Sequence, residues 1–190
     1  MVMAATIPRY AAEEVRNFPE DRLRYEVIRG ELFVSPAPKI PHQRIVRELL
    51  VQIHEYGTRH DLGEILPGPF EVQFTEDSAV QPDALVILRD RGPQPSIERL
   101  YGPPALVIEV ISYSSKRTDR LQKRTLYMEE GVPEYWIVDP ELKHVERWRT
   151  GDERPEPLTE ELTWRPTADG PNLTIDLKRM FARMDGFGSS

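Results

Sequence analysis

The chain has 190 residues, 39% hydrophobic and 30% charged, enough for one folded domain with a full core and too apolar for a disordered chain. Its formal net charge of -7 argues against a broad basic surface for passive phosphate binding, though Arg and Lys are numerous enough for a local basic groove. Cysteine is absent, which removes disulfides, zinc-thiolate sites and thiol catalysis and suits a reducing, cytoplasmic setting. No stretch approaches the ~20 apolar residues of a membrane span, and the N-terminus lacks a signal-peptide core, so a membrane partner is not expected.

In chain order, Pro8 to Phe18 reads as a short helix. "LRYEVIRGELFVSP" follows, two β-prone runs around Arg29-Gly30, where glycine suits the tight turn of a hairpin. In "PKIPHQRIVRELLVQIHEYG" Pro41 fits a first helical turn, and Ile45, Leu49 and Ile53 recur at helical spacing. Gly57 is the expected stop. "GEILPGPFEVQF" gives two short strands, and Ala79 to Leu88 reads as a further strand before a Pro-rich loop. Ala105 to Ser112 is an unbroken apolar run suited to a central strand covered on both faces.

"SSKRTDRLQKRTLYMEEGVP" reads as a helix capped by Ser114 or Ser115 and ended by Gly131 and Pro133. "EYWIVDPELKHVERWR" is a hairpin turned at Asp139-Pro140. Residues 150–170 are polar and rich in Pro and Glu, and read as a surface loop. A short strand and short helix in "NLTIDLKRMFARM" close a single domain over 1–190. This order predicts an α+β domain, a mixed sheet flanked by helices. No Gly-rich phosphate cradle is present.

Two carboxylates stand in otherwise apolar strands: Asp83 at the entry to "ALVIL", and Glu109 inside "ALVIEVIS". On neighbouring strands they would converge and repel, unless a hard cation such as Mg²⁺ or Mn²⁺ lay between them. Taken singly, Asp83 reads as turn chemistry after Pro82, and Glu109 is as well explained by a buried salt bridge. Lys123 shares a helical side with Asp119, Leu126 and Tyr127, and could aim its ammonium at the carboxylates. The plainer alternative is a surface pair with Asp119. The enzymatic reading requires the two acids to face each other, with no arginine neutralising Glu109.

"QPDALV", "VIEVIS", the D-x-x-x-K of "DRLQK", "LYMEEGVPEYWIVDP", "YEVIRGELFVSPAP" and "HQRIV" together resemble the Uma-type family of the PD-(D/E)XK nuclease superfamily, over about Tyr25 to Trp148. The resemblance implies a restriction-endonuclease-like fold and a Mg²⁺ (or Mn²⁺) site for phosphodiester hydrolysis. Asp83 takes the first carboxylate position, Glu109 the second, and the Val110 carbonyl a third metal ligand. The superfamily lysine position two residues after the second acid is Ile111 here, and Lys123 takes its role. The implied substrate is nucleic acid, DNA first. A homodimer contacting through "EYWIV" is a further expectation. Glu31 and His42 are accessory candidates, although a strand residue beside a turn and a surface or capping histidine are the favoured readings. The competing function is a non-catalytic binding or assembly module that keeps the nuclease fold.

Overall fold

The computed structural model describes residues 8–19, 21–112 and 118–185. The hairpin forms as expected: β1 (Leu23–Ile28) pairs with β2 (Glu31–Pro36), and Arg29 and Gly30 both take positive φ in the turn. The first helix is shorter than its sequence suggests, α1 spanning only Ala12–Arg16. Helix α2 (Ile40–Arg59) runs past Gly57. That glycine serves packing rather than termination, because a Cβ there would lie 2.3 Å from Cδ1 of Ile65.

β3 (Gly63–Pro67) and β4 (Glu71–Thr75) enter different sheets. The run Ala79 to Leu88 is not one strand. It divides at Pro82, which has no N–H for a ladder, into β5 (Ser78–Val80) and β6 (Ala84–Leu88). The Pro-rich loop contains one more short strand, β7 (Arg99–Tyr101). β8 (Leu106–Val110) is fully buried, as its unbroken apolar run requires.

Ser114 and Ser115 lie outside the described residues, as do Tyr113, Lys116 and Arg117. A π-helical turn, Thr118–Lys123, leads into α3 (Arg124–Glu129). β9 (Glu134–Asp139) and β10 (His144–Arg149) form the second hairpin, with Asp139 Oδ1 accepting from the amides of Glu141 and Leu142 in the turn.

Residues 150–170 are not merely a surface loop. They contain β11 (Glu156–Leu158) and β12 (Glu161–Trp164), and Leu162 and Trp164 are buried. Two alternate apolar residues anchor this polar stretch, Trp164 packing edge-on to Trp136. β13 (Leu173–Asp176) pairs with β12, and α4 (Leu177–Asp185) follows.

The principal sheet has the order β11-β10-β9-β8-β6-β3, parallel only at β8–β9. The second, β2-β1-β5-β4-β7, is parallel only at β4–β7. Strand alternation gives the principal sheet two apolar faces. Val86, Leu106, Ile108 and Val138 pack on α2, α4 and β12–β13. Leu85, Val107, Tyr135 and Ile137 pack toward the second sheet and α3. Tyr135, Trp136, Ile137 and Val138 of "EYWIV" are therefore core on an interior strand. They are fully buried and cannot form the dimer contact expected of them.

Candidate active site

β6 and β8 are antiparallel neighbours with Ala84 opposite Ile108. One rung further sets Asp83 opposite Glu109, and opposed residues point to the same face. Alternation places both on the face shared with Leu85 and Val107, between the two sheets. Each is at most 4% exposed. Convergence thus follows from register.

Lys123 arrives from the π-helical turn. Its Nζ lies 2.8 Å from Glu109 Oε1 and 3.8 Å from Asp119 Oδ1. Asp119, Lys123, Leu126 and Tyr127 all face inward, whereas Leu121 is half exposed. The Tyr127 hydroxyl donates to the same Glu109 oxygen at 3.0 Å.

The largest surprise is a second pair, from β1. Glu26 Oε1 accepts from Lys123 Nζ and from the Gln81 amide, at 2.8 and 2.7 Å. Arg24 donates twice to Asp83 Oδ1, at 3.1 and 3.2 Å. Asp83 Oδ2 meets His42 Nε2 at 2.8 Å and the Val110 amide at 2.9 Å. An arginine does enter the cluster, therefore, but on the first acid rather than on Glu109.

His42 is neither a free surface residue nor a backbone cap. Val110 contributes its amide to Asp83 Oδ2, whereas the next amide, that of Ile111, turns to β9 and donates to the Val138 carbonyl. Glu31 is exposed beside the hairpin turn and is not drawn into the cluster. Its candidacy fails for the plain reason that it points to solvent.

Glu26, Asp83, Glu109 and Asp119 are buried acids, and Arg24 and Lys123 are the permanent cations among the described residues contacting them. Burial pushes Glu109 well above the usual carboxylate range, and Asp83, Asp119 and Glu26 add to the rise against the pull of Lys123. Burial also opposes the Lys123 charge, but Glu109, Glu26 and Asp119 override it and hold the ammonium above its usual range. Burial acts to raise Asp83 as well, yet His42, Arg24 and the Val110 amide hold it below its usual value.

For a hard divalent cation the donor chemistry fits, with buried carboxylate oxygens from Asp83 and Glu109 and a backbone carbonyl oxygen at Val110. The arrangement is not a ready cage. No three His, Asp or Glu side chains among the described residues are placed to share one ion. Arg24, His42 and Val110 supply four hydrogen bonds to Asp83, the full lone-pair capacity of a carboxylate.

Asp83 is also held from behind. The Gly68 amide donates to the Asp83 carbonyl at 2.8 Å, and a Cβ on Gly68 would lie 2.3 Å from the Pro82 carbonyl oxygen. Gly68→Ala must therefore move backbone beside the first carboxylate. The expected loss is about 1–3 kcal/mol of stability, with impaired turnover, measured by denaturant unfolding beside an activity assay. Unchanged stability and turnover would show that this contact positions nothing.

Arg24 and Glu26 escaped the sequence reading. They share a strand face with Ile28, which packs into the inter-sheet core. Tyr25 and Val27, on the opposite face, look more apolar, and they pack with α1 instead. Only the presence of that second apolar layer reveals which face of β1 turns toward Asp83 and Glu109.

Fold and cluster together define a restriction-endonuclease-like α+β domain. The chain belongs to the Uma2 family, described as "Putative restriction endonuclease", which it matches over residues 12–178. Its structure is similar to the crystal structure of "a putative nuclease belonging to DUF820" from Anabaena variabilis. That match has a TM-score of 0.76 at 20% identity, covering 92% of this chain and 99% of the other. No curated protein matches the chain. Among the described residues, no helix is long and apolar enough to cross a membrane.

Proposed function

We propose that the protein is a metal-dependent nuclease that hydrolyses phosphodiester bonds of nucleic acid, DNA first. Asp83, Glu109 and Lys123 form its site. The observation that carries this reading is their convergence: two carboxylates opposed across neighbouring strands on one sheet face, with the Lys123 ammonium 2.8 Å from the second. Family membership agrees with it.

Asp83, Glu109 and the Val110 carbonyl would hold Mg²⁺ or Mn²⁺. The bound ion supplies an acidified water and offsets charge on the phosphate. The chain's own groups do the rest. Lys123, held protonated by its acids, acts as a charged donor to the attacking water or the phosphate oxygens, not as a base. Glu26 positions Lys123 by sharing its ammonium with Glu109. His42 and the Val110 amide orient Asp83. Arg24 holds Asp83 Oδ1 through two hydrogen bonds and would have to release it for that oxygen to serve as a metal ligand.

Arg24 also favours a second reading, a non-catalytic module in which arginine permanently fills the cation position. Calorimetry with Mn²⁺ separates the two. The nuclease reading expects binding to the wild type, tighter binding to Arg24→Gln, and metal-dependent cleavage of plasmid or oligonucleotide that disappears in Asp83→Ala. A folded wild type and Arg24→Gln that both ignore Mn²⁺ would establish the module instead.

A further inference from the structure

Beside Asp83 the surface opens into a cleft of about 430 Å³ between the start of β1, the first turns of α2 and the Pro67–Pro69 loop. We propose that this cleft receives one unpaired nucleotide, so that the substrate is single-stranded nucleic acid or a frayed strand end rather than a closed duplex. This deepens the nuclease reading above and rests on it.

Size is the first argument. A space of this volume is that of a small-molecule pocket, adequate for one nucleotide and far too small for a paired helix. A duplex also carries its base edges at the bottom of its grooves, with its backbones outermost.

Chemistry is the second. Leu23 and Val51, 44% and 50% exposed, stand on the cleft as apolar walls with Leu50, a surface suited to the flat face of a base. Arg22 and Arg47 are exposed lining residues suited to the phosphate. Asp21 and Asp83 also line the cleft, but both already accept hydrogen bonds, Asp21 from Tyr25 and the Leu23 amide.

His42 is the third. It lines the cleft, and its Nδ1 is buried without a hydrogen-bond partner. Nε2 is already engaged by Asp83 Oδ2 at 2.8 Å, so Nδ1 is the ring nitrogen left to meet a ligand. A buried ring nitrogen calls for a hydrogen-bond partner. Unpaired bases present amino groups that a duplex has already used in pairing, and sugars present hydroxyls.

The test is fluorescence anisotropy with a labelled single-stranded oligonucleotide and with the same sequence as a blunt, closed duplex, in EDTA and again with Ca²⁺. The single strand should bind about tenfold more tightly, the scale of one well-buried apolar contact. Val51→Trp, which fills the cleft from α2, should remove that advantage and leave duplex binding unchanged. Leu23→Trp does the same from the opposite wall, and thermal melts verify folding of both. Equal affinity for the two probes, or a single-strand preference that survives in both folded variants, overturns the proposal. Because these are binding measurements in EDTA as well as Ca²⁺, they stand apart from the Mn²⁺ calorimetry: loss of metal binding would sink the nuclease reading without erasing a single-strand preference.

Discussion

Lys123→Met is expected to lower stability by about 3–5 kcal/mol, the cost of leaving buried charge without its partner. The ammonium bridges Glu26 and Glu109 at 2.8 Å each and neighbours Asp119, all within the core. Methionine keeps the apolar stem and leaves Glu26 and Glu109 without their shared cation in low dielectric. For a domain of this size that loss corresponds to roughly 6–20 °C in Tm.

The pH dependence identifies the cause. Lys123 has its folded pKa raised, so its contribution is complete below the ordinary lysine value and fades only as pH rises through the folded one. Near neutrality it is constant in the wild type. In the variant, Glu109 loses the cation that opposed its upward shift, and a proton taken from solvent replaces the missing charge. The gap between wild type and variant should therefore narrow on acidification. Denaturant unfolding at neutral and mildly acidic pH measures this. A gap below about 1 kcal/mol, the range of exposed pairs, would mean the cluster is not held by Lys123.

Glu109→Gln should act in the opposite sense on stability while removing function. Glu109 has its folded pKa raised, chiefly by burial, so its favourable term belongs to the protonated acid, is complete below the ordinary carboxylate range and is lost as pH rises through the folded value. Whenever it is ionised, the side chain is a burden on the fold. Glutamine keeps the shape and a carbonyl oxygen for Tyr127 and Lys123, and Lys123 retains Glu26. The variant should equal or exceed the wild type at neutral pH by about 1 kcal/mol or more, as replacement of strained buried charge can. That margin should shrink as acid protonates the native residue.

Metal-dependent cleavage should fall by at least about a hundredfold, the scale of losing a charge-stabilising group in a water-excluded site. Stability up and activity gone is the signature of a site kept for function at the expense of the fold. A variant that cleaves as the wild type does would remove Glu109 from the mechanism.

These two expectations differ in how far the sequence alone reaches toward them. Asp83, Glu109 and Lys123 are conspicuous because each interrupts an apolar pattern. A carboxylate inside "ALVIEVIS", or a lysine one turn before Leu126 and Tyr127, violates the periodicity around it. Arg24 and Glu26 violate nothing. They alternate with Tyr25 and Val27 in what looks like an ordinary half-exposed strand. Leu162 and Trp164 were hidden in the reverse way, two apolar residues in a polar, Pro-rich stretch too sparse for a periodic signal. The break at Pro82 was visible as a residue, yet its consequence, handing the chain from one sheet to the other at Asp83, was not.

The sequence by itself determined the α+β class, the hairpins, the central buried strand, the long helix and the three side chains at the heart of the cluster, because local periodicity and turn chemistry act over a few residues. Tertiary structure alone decided which strand lies beside which, and therefore that Asp83 meets Glu109 one rung beyond Ala84 and Ile108. It also decided that Arg24, Glu26 and His42 complete the cluster from elements 41 to 59 residues away in the chain. Register and sheet order depend on which faces find apolar cover, and that cover comes from distant segments whose identity no local pattern encodes.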